Sequence, residues 1–299
     1  MRTFPFLQVD AFTTQPLAGN ACAVVLDADD LEAATMQAIA REQNLSETAF
    51  VRRSRSCDFG VRYFTPAEEI PLAGHPTIAT AWALVDSGRL QLQGPRTRTT
   101  FELQVGPIEV EVVSGPSGPE HVVMSQKKPV FLAPYEAAEV MPIFGLRSED
   151  LLPGFPIQTV STGLQQLMVP VRDLEVLRRI ALDLPAYVEL RRRSDFFSTH
   201  LFCLQGATAA GRTFARHFVV PPDLIEDPFT GSATGGMAAY LWHHGCIETP
   251  TFIAEQGHWL QRPGQAMVEV VGPRHDITTV KVGGPAVTVI RGTMELPEG

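Results

Sequence analysis

Gly74-His75-Pro76-Thr77-Ile78-Ala79-Thr80-Ala81-Trp82-Ala83-Leu84-Val85-Asp86-Ser87-Gly88 is small or apolar on almost every side and bounded by glycine at both ends. A helix without a polar face has to be buried inside other structure rather than laid on a surface. The pattern returns 157 residues later as Gly231-Ser232-Ala233-Thr234-Gly235-Gly236-Met237-Ala238-Ala239-Tyr240-Leu241-Trp242-His243-His244-Gly245, aligned without a gap and identical at five of fifteen positions. A weaker echo links Gly19–Leu31 with Gly163–Leu174. The repeats predict two copies of one domain, with the crossover near the Lys- and Pro-containing stretch Gln126–Pro134. The N-terminal repeat domain is expected over 1–127, completed by 286–299, and the C-terminal one over 128–285.

The ends of the two segments extend the pattern. Pro76 suits a first helical position and makes His75 the expected N-cap, while Ser232 is the expected N-cap of the second helix. Gly88 and Gly245 suit the left-handed residue that stops each helix. Each copy then presents a glycine, a polar cap residue and a buried helix N-terminus. Two such ends facing each other would suit a small anionic ligand such as a carboxylate.

Around these helices the chain is a series of short β-patterned segments, among them Phe6–Val9, Ala21–Leu26, Thr48–Arg52, Phe59–Phe64, Ile108–Val113, Gln166–Val169, Leu201–Leu204, Met267–Val271 and Val287–Arg291. Several alternate apolar and polar residues, as half-buried strands do. Apolar stripes at helical spacing occur at Leu31–Glu42 and Leu174–Leu182. Many strands with few helices predict an α+β fold.

Composition bounds the function. The chain has 299 residues, a net charge of −9, 44% hydrophobic and 19% charged residues. That is a globular composition with a core large enough to need no disulfide or metal staple. The acidic balance argues against nucleic-acid binding. No apolar run approaches the ~20 residues of a bilayer helix, so no membrane partner is expected. The N-terminus lacks a signal-peptide core and reads as a first strand. Cys22, Cys57, Cys203 and Cys246 lie far apart with no C-x-x-C, as buried thiols of a cytoplasmic protein would. Arg191-Arg192-Arg193 reads as a solvated turn.

Common catalytic signatures are missing: there is no H-E-x-x-H, no G-x-S-x-G, no P-loop and no G-x-G-x-x-G after a strand. No metal site is expected, because the histidines are scattered and the His243–His244 pair would point to different sides of a helix. What remains is a few polar residues in apolar or glycine-rich surroundings. Glu47 stands where a helix hands over to an apolar strand, His75 and Ser232 stand at the helix starts, and Asp227 precedes Pro228. By position alone these residues are as well suited to capping and turn-making as to chemistry.

At these residues the sequence resembles the phenazine biosynthesis PhzF-like isomerases, relatives of diaminopimelate epimerase. The segments that carry the resemblance are Val9-Asp10-Ala11-Phe12 with Pro16-Leu17-Ala18-Gly19-Asn20, then Asn44-Leu45-Ser46-Glu47-Thr48, Phe64-Thr65-Pro66 through Leu72-Ala73-Gly74-His75-Pro76, and Glu226-Asp227 through Thr230-Gly231-Ser232-Ala233. The resemblance implies two pseudo-symmetric domains, each a β-barrel-like sheet around a central helix, with catalysis needing neither cofactor nor metal, and a homodimer. It matches Glu47 to the catalytic acid/base and His75, Asp227 and Ser232 to supporting catalytic residues. Gly74, Gly231, Asn20 and Thr230 fall at substrate-binding positions. Diaminopimelate epimerase carries a cysteine just before the glycine in each half; Ala73 and Thr230 stand there instead, which excludes a two-thiol racemase.

The expected activity is an isomerisation by proton transfer at carbon on a small carboxylate-bearing metabolite, with Glu47 alternating between base and acid. The alternative from a different class is a catalytically idle small-molecule-binding protein of the same fold.

Overall fold

The computed structural model describes residues 1–116 and 118–297. The chain divides into two compact units, Met1–Ser125 together with the stretch from Gly283, and Gln126–Val282.

The first unit runs β1 (Arg2–Ala11), β2 (Asn20–Val25), α1 (Ala33–Gln43), β3 (Glu47–Arg52), β4 (Phe59–Phe64), β5 (Glu69–Ile70), α2 (Gly74–Asp86), β6 (Arg96–Leu103), β7 (Gly106–Gly115) and β8 (Gly118–Ser125). The second runs β9 (Val130–Tyr135), α3 (Ala137–Val140), β10 (Ile157–Ser161), β11 (Gln165–Pro170), α4 (Leu174–Arg178), α5 (Leu184–Arg192), β12 (Ser198–Cys203), β13 (Thr213–Phe218), β14 (Glu226–Asp227), α6 (Gly231–His243), β15 (Thr251–Gln256) and β16 (Gly264–Val271). After β17 (Thr279–Gly284), β18 (Ala286–Leu296) pairs along the whole of β1. The first unit is therefore closed by the C-terminal strand.

Ten residues of α2 are buried, from Gly74 to Ala81 and then Ala83 and Leu84. The helix packs against β1, β2, β3, β7, β8 and β18, so strands surround it. Its alanines and threonines let backbone approach on every side, which is why the segment carries no polar stripe. In the second unit α6 is buried from Gly231 through Leu241 and packs on β10, β11 and β16. The shorter helices lie on the outer faces. Met36, Ile39 and Ala40 of α1 join Phe4, Val25, Phe50 and Phe64 in one cluster, and Tyr187 and Leu190 of α5 join Phe144, Leu201, Phe214 and Phe218 in another.

The two units share one strand order. β2 pairs parallel with β3, β3 and β5 antiparallel with β4, and β4 parallel with β6. β11 pairs parallel with β12, β12 and β14 antiparallel with β13, and β13 parallel with β15. The agreement reaches side chains. Arg62 grips Glu69 through hydrogen bonds of 2.7 and 2.6 Å, and Arg216 grips Glu226 with the same two lengths. Each guanidinium also lies 5.1 Å from the ring of the phenylalanine two residues on, Phe64 or Phe218.

Several expectations need correction. α2 begins at Gly74 with Ala73 as N-cap, and α6 at Gly231 with Thr230 as N-cap. His75 and Ser232 are thus second helical residues, and neither cap residue bonds the first turn through its side chain. Pro76 consequently sits two positions further in, still within the first turn, where its missing N–H costs nothing. β9 occupies part of the expected crossover segment: Val130 and Phe131 pair with Ser161 and Val160, and beyond a bulge Pro134 and Tyr135 pair with Gln158 and Ile157. Arg191 and Arg192 lie in α5 rather than in a turn; Asp183 caps that helix by accepting from the Ala186 amide. Cys57 and Cys246 are half-buried, whereas Cys22 and Cys203 are buried.

Candidate active site

Glu47 is the first residue of β3 and stands beside Cys22 in the parallel register. Register partners project to the same face of a sheet. Here that face carries Glu47 to the first turn of α2, where Nε2 of His75 lies 3.3 Å from its Oε2. The His75 side chain is 2% exposed and that of Glu47 17%. Nδ1 of His75 lies 3.1 Å from Nδ2 of Asn20. An amide nitrogen only donates, so Nδ1 accepts and the ring proton sits on Nε2, facing the carboxylate. Asn20, His75 and Glu47 form one ordered chain of groups ending at an acid.

Local backbone holds this chain in place. Asn20 opens β2 opposite Ala11, and the turn before it closes through Gly19 at φ +56°. A Cβ there would stand 2.1 Å from the Ala11 carbonyl oxygen, so only glycine fits. The buried Asp10 carboxylate accepts from the Leu17 amide at 2.7 Å and pins the same turn. Burial pushes the Cys22 thiol well above its ordinary range, and the Glu47 charge beside it adds to the shift. Cys22 is therefore a neutral neighbour of the acid rather than a nucleophile.

In the second unit Thr230 donates from Oγ1 to the Asp227 carboxylate at 2.5 Å. Its hydroxyl is thereby turned away from the capping role its position would suggest. Gln256 ties the turn from both sides: its Nε2 donates to the Asp227 carbonyl at 2.7 Å and its Oε1 accepts from the Thr230 amide at 3.1 Å. Gln126 holds the Gly231 carbonyl at 2.9 Å and accepts from Thr162. The Ser232 hydroxyl receives Nε2 of Gln166 at 3.0 Å.

The shared strand order makes positions comparable. Gln166 and Ser198 are register partners in β11 and β12, as Cys22 and Glu47 are in β2 and β3. Ser198 thus occupies the place of Glu47, Ser232 that of His75 and Gln166 that of Cys22. Ala49 and Tyr63 face each other in one unit, His200 and His217 in the other. The last two are buried, with Nδ1 atoms 3.2 Å apart. Burial pushes His200 down to about 3 and holds His217 well below its usual value, with His200 adding to the latter. Both rings are neutral.

The structure therefore gathers Asn20, Glu47, Gly74 and His75 in the first unit, and Asp227, Thr230, Gly231 and Ser232 in the second. Gln126, Gln166, Gln256 and Asp10 are positioning partners that sequence reading passed over. Only a register of strands reveals them, and no local motif does. Among the described residues no group of three or more His, Cys, Asp or Glu is arranged to hold a metal ion, and no helix is long and apolar enough to cross a membrane.

Comparison with known proteins adds the family. The model of the phenazine biosynthesis-like protein family (PhzC-PhzF) matches residues 9–292. The chain belongs to this family. Among its relatives, the trans-2,3-dihydro-3-hydroxyanthranilate isomerase of Pseudomonas chlororaphis is 35% identical over 97% of this chain and 99% of that protein. The uncharacterized isomerase YfhB of Bacillus subtilis is 34% identical over 90% of this chain and 92% of that one. The crystal structure of a PhzF-family phenazine biosynthesis protein from Bacillus anthracis superposes with a TM-score of 0.85 at 31% identity, covering 99% and 100% of the two chains. A probable proline racemase from Agrobacterium radiobacter shares the fold at 13% identity with a TM-score of 0.72. The PhzF-like protein described here is thus an isomerase of the epimerase-like fold acting on a small molecule, and not an idle binding member of that fold.

Proposed function

We propose that this isomerase moves a proton between two carbons of a small carboxylate-bearing metabolite, with Glu47 as the acid/base. The observation that carries the reading is the ordered chain Asn20–His75–Glu47, together with the presence of Ser198 at the equivalent place in the second unit. A two-base racemase needs an acid/base group at both places. One carboxyl group and one serine suit a shuttle that takes a proton and gives the same proton back.

In this mechanism the Glu47 carboxylate removes a proton from a carbon made acidic by conjugation. The electron pair left behind delocalises into an enol-like intermediate, and protonated Glu47 then returns the proton to the other end of the conjugated system. No electrons are lost, and Glu47 ends as it began. The Nε2 edge of His75 faces Oε2 at 3.3 Å and holds that side of the carboxylate, leaving Oε1 for the reacting carbon. The amides at Gly74 and Gly231, each at a helix start without a side-chain cap, stabilise negative charge on the substrate. Asp227, Ser232 and Thr230 are assigned to binding and orienting the substrate's polar groups. The chemistry is complete with these residues and calls for no cofactor.

The two units are read as copies of one ancestral domain, a reading supported by their shared strand order. Cytoplasmic location and a homodimer are assigned on the family resemblance.

The test is NMR in deuterated water with trans-2,3-dihydro-3-hydroxyanthranilate, the compound in the name of the Pseudomonas relative, alongside other small conjugated carboxylates. Conversion with incorporation of at most one solvent deuteron per turnover supports the reading. Conversion of a substrate by Glu47→Gln at the wild-type rate overturns it.

A further inference from the structure

A second polar concavity lies at the far end of β3. Glu47 and Arg52 are the first and last residues of that strand, about 16 Å apart at strand rise. Arg52 faces Gly60 across the β3–β4 pair, and Gly60 in turn faces Glu102 on β6. Gly60 has no side chain to fill the space between them. A Cβ there would come within 2.9 Å of the Arg53 carbonyl oxygen, so the hairpin backbone itself keeps this position open. The result is a pocket of ≈ 310 Å³ lined by Arg52, Arg53, Arg62, Glu69, Glu102 and Gln104 with the β4 backbone. That is the lower end of the size range of small-ligand sites.

The charges in it are unevenly matched. Arg62 is held by both oxygens of Glu69. Arg53 pairs with Asp29 at 3.2 Å. Glu102 accepts from the Ser54 hydroxyl. Arg52 has no such partner among the described residues: its Nε is buried and meets no hydrogen-bond acceptor there. The charge it influences is that of Asp29, already engaged by Arg53. An Arg Nε–H withdrawn from water without an acceptor is the donor that an oxyanion satisfies, and the planar guanidinium offers a second N–H alongside it.

We propose that this pocket is an anion site, with Arg52 as its principal ligand and a phosphate group, free or as a monoester, as its occupant. Phosphate is favoured over a carboxylate because three donor-bearing side chains line the pocket, Arg52, Arg53 and Gln104, against the one carboxylate there, Glu102, that is not held by an arginine and accepts from Ser54. The site is separate from the Glu47 cluster and does not depend on the reaction assigned to it.

The experiment is titration of the ¹⁵N-labelled full-length protein with inorganic phosphate at constant ionic strength, followed through amide resonances. Saturable shifts at Gly60, Leu103 and Gln104 are expected, and Arg52→Met should weaken the fitted affinity by about tenfold or more. Arg52→Lys keeps the charge but loses the fork, and should fall between the two. Both variants alter a partly exposed strand end, and an unchanged spectrum elsewhere shows that they fold. A glucose 6-phosphate titration separates the sources: shifts at the same amides at lower concentration point to a monoester, and equal concentrations to free phosphate. Shifts confined to Gly74 or Gly231, absence of saturation, or wild-type affinity in Arg52→Met would each overturn the proposal without touching the role of Glu47.

Discussion

Glu47 and Ser198 occupy the same place in the two units: each begins the strand that runs parallel to its predecessor, and each has its register partner in that strand, Cys22 or Gln166. One fold repeated twice has therefore kept an acid in only one copy. The difference separates this molecule from a symmetric racemase more sharply than the missing cysteines do, because it concerns the residue proposed to take the proton. Glu47→Gln is isosteric with the native side chain and removes its charge. It should leave the fold intact and lower turnover by roughly 10²–10⁴-fold. Isotope tracing gives the finer check. If one carboxyl group carries the proton both ways, part of a deuterium label on the substrate must reappear in the product under single-turnover conditions. Complete washout on every turnover would argue for a second base.

His75 lies between Asn20 and Glu47 and uses both ring nitrogens. Replacement by alanine removes the ring edge that faces the Glu47 carboxylate and an acceptor from a buried amide. We expect His75→Ala to lower kcat by about 10–100-fold, with a stability loss of about 1–3 kcal/mol from the polar groups left behind. Asn20→Asp is the informative companion. An aspartate at this position accepts rather than donates, so the ring proton is drawn to Nδ1 and away from Glu47. That variant should keep its melting temperature better than His75→Ala yet lose comparable activity. Equal activity in Asn20→Asp and wild type would show that ring orientation does not matter.

Gly19 sets the position of Asn20. Its φ is +56°, and a side chain would put its Cβ 2.1 Å from the Ala11 carbonyl oxygen, far inside van der Waals contact. Gly19→Ala should therefore destabilise by about 1–3 kcal/mol or more, through backbone strain and displacement. Because the displaced atom lies on the strand that pairs with Asn20, activity should fall further than the folded fraction does. Urea unfolding compared with specific activity at a temperature where the variant is fully folded distinguishes the two effects.

The repeat, and with it the two buried helices, was legible because a helix apolar on all sides leaves a composition no surface helix has, and because its glycine boundaries recur at a fixed offset. Many of the strands around the helices were legible from alternation, but their pairing was not. The cap positions were not: proline is tolerated throughout the first turn, so Pro76 could not distinguish a helix beginning at Pro76 from one beginning at Gly74. β9 was hidden by its lysine and proline neighbours, and α5 by having only Tyr187 and Leu190 on its buried face. Glu47, His75, Asp227 and Ser232 were singled out by family resemblance, since spacing alone could not separate them from caps and turns. Their partners Asn20, Gln166 and Gln256 owe their positions to strand register, which brings residues 55, 66 and 26 apart in sequence into hydrogen-bond range.

His200 and His217 fill in the second unit the space that Ala49 and Tyr63 fill in the first, and they bring a pH dependence that the first pair does not. Both are held neutral by burial, His200 down to about 3. In the unfolded chain each ring takes up a proton below about pH 6.5. Unfolding therefore binds protons in that range, and stability is complete above about pH 6.5 and declines as the pH falls toward the depressed folded values. The slope is about 1.4 kcal/mol per pH unit for each ring once the unfolded form is fully protonated. The double substitution His200→Ala with His217→Tyr transplants the first unit's pair into the second, nearly conserving the space the two rings occupy. It should flatten the dependence of unfolding free energy on pH between 6 and 4 while leaving stability at pH 7.5 within about 2 kcal/mol of wild type. Urea denaturation at pH 7.5, 6, 5 and 4 measures both quantities. An unchanged slope would mean that the acid sensitivity arises from carboxylates such as Asp150, which burial would neutralise but which the Arg147 amide and the Arg179 and Arg172 guanidinium groups hold in the charged form.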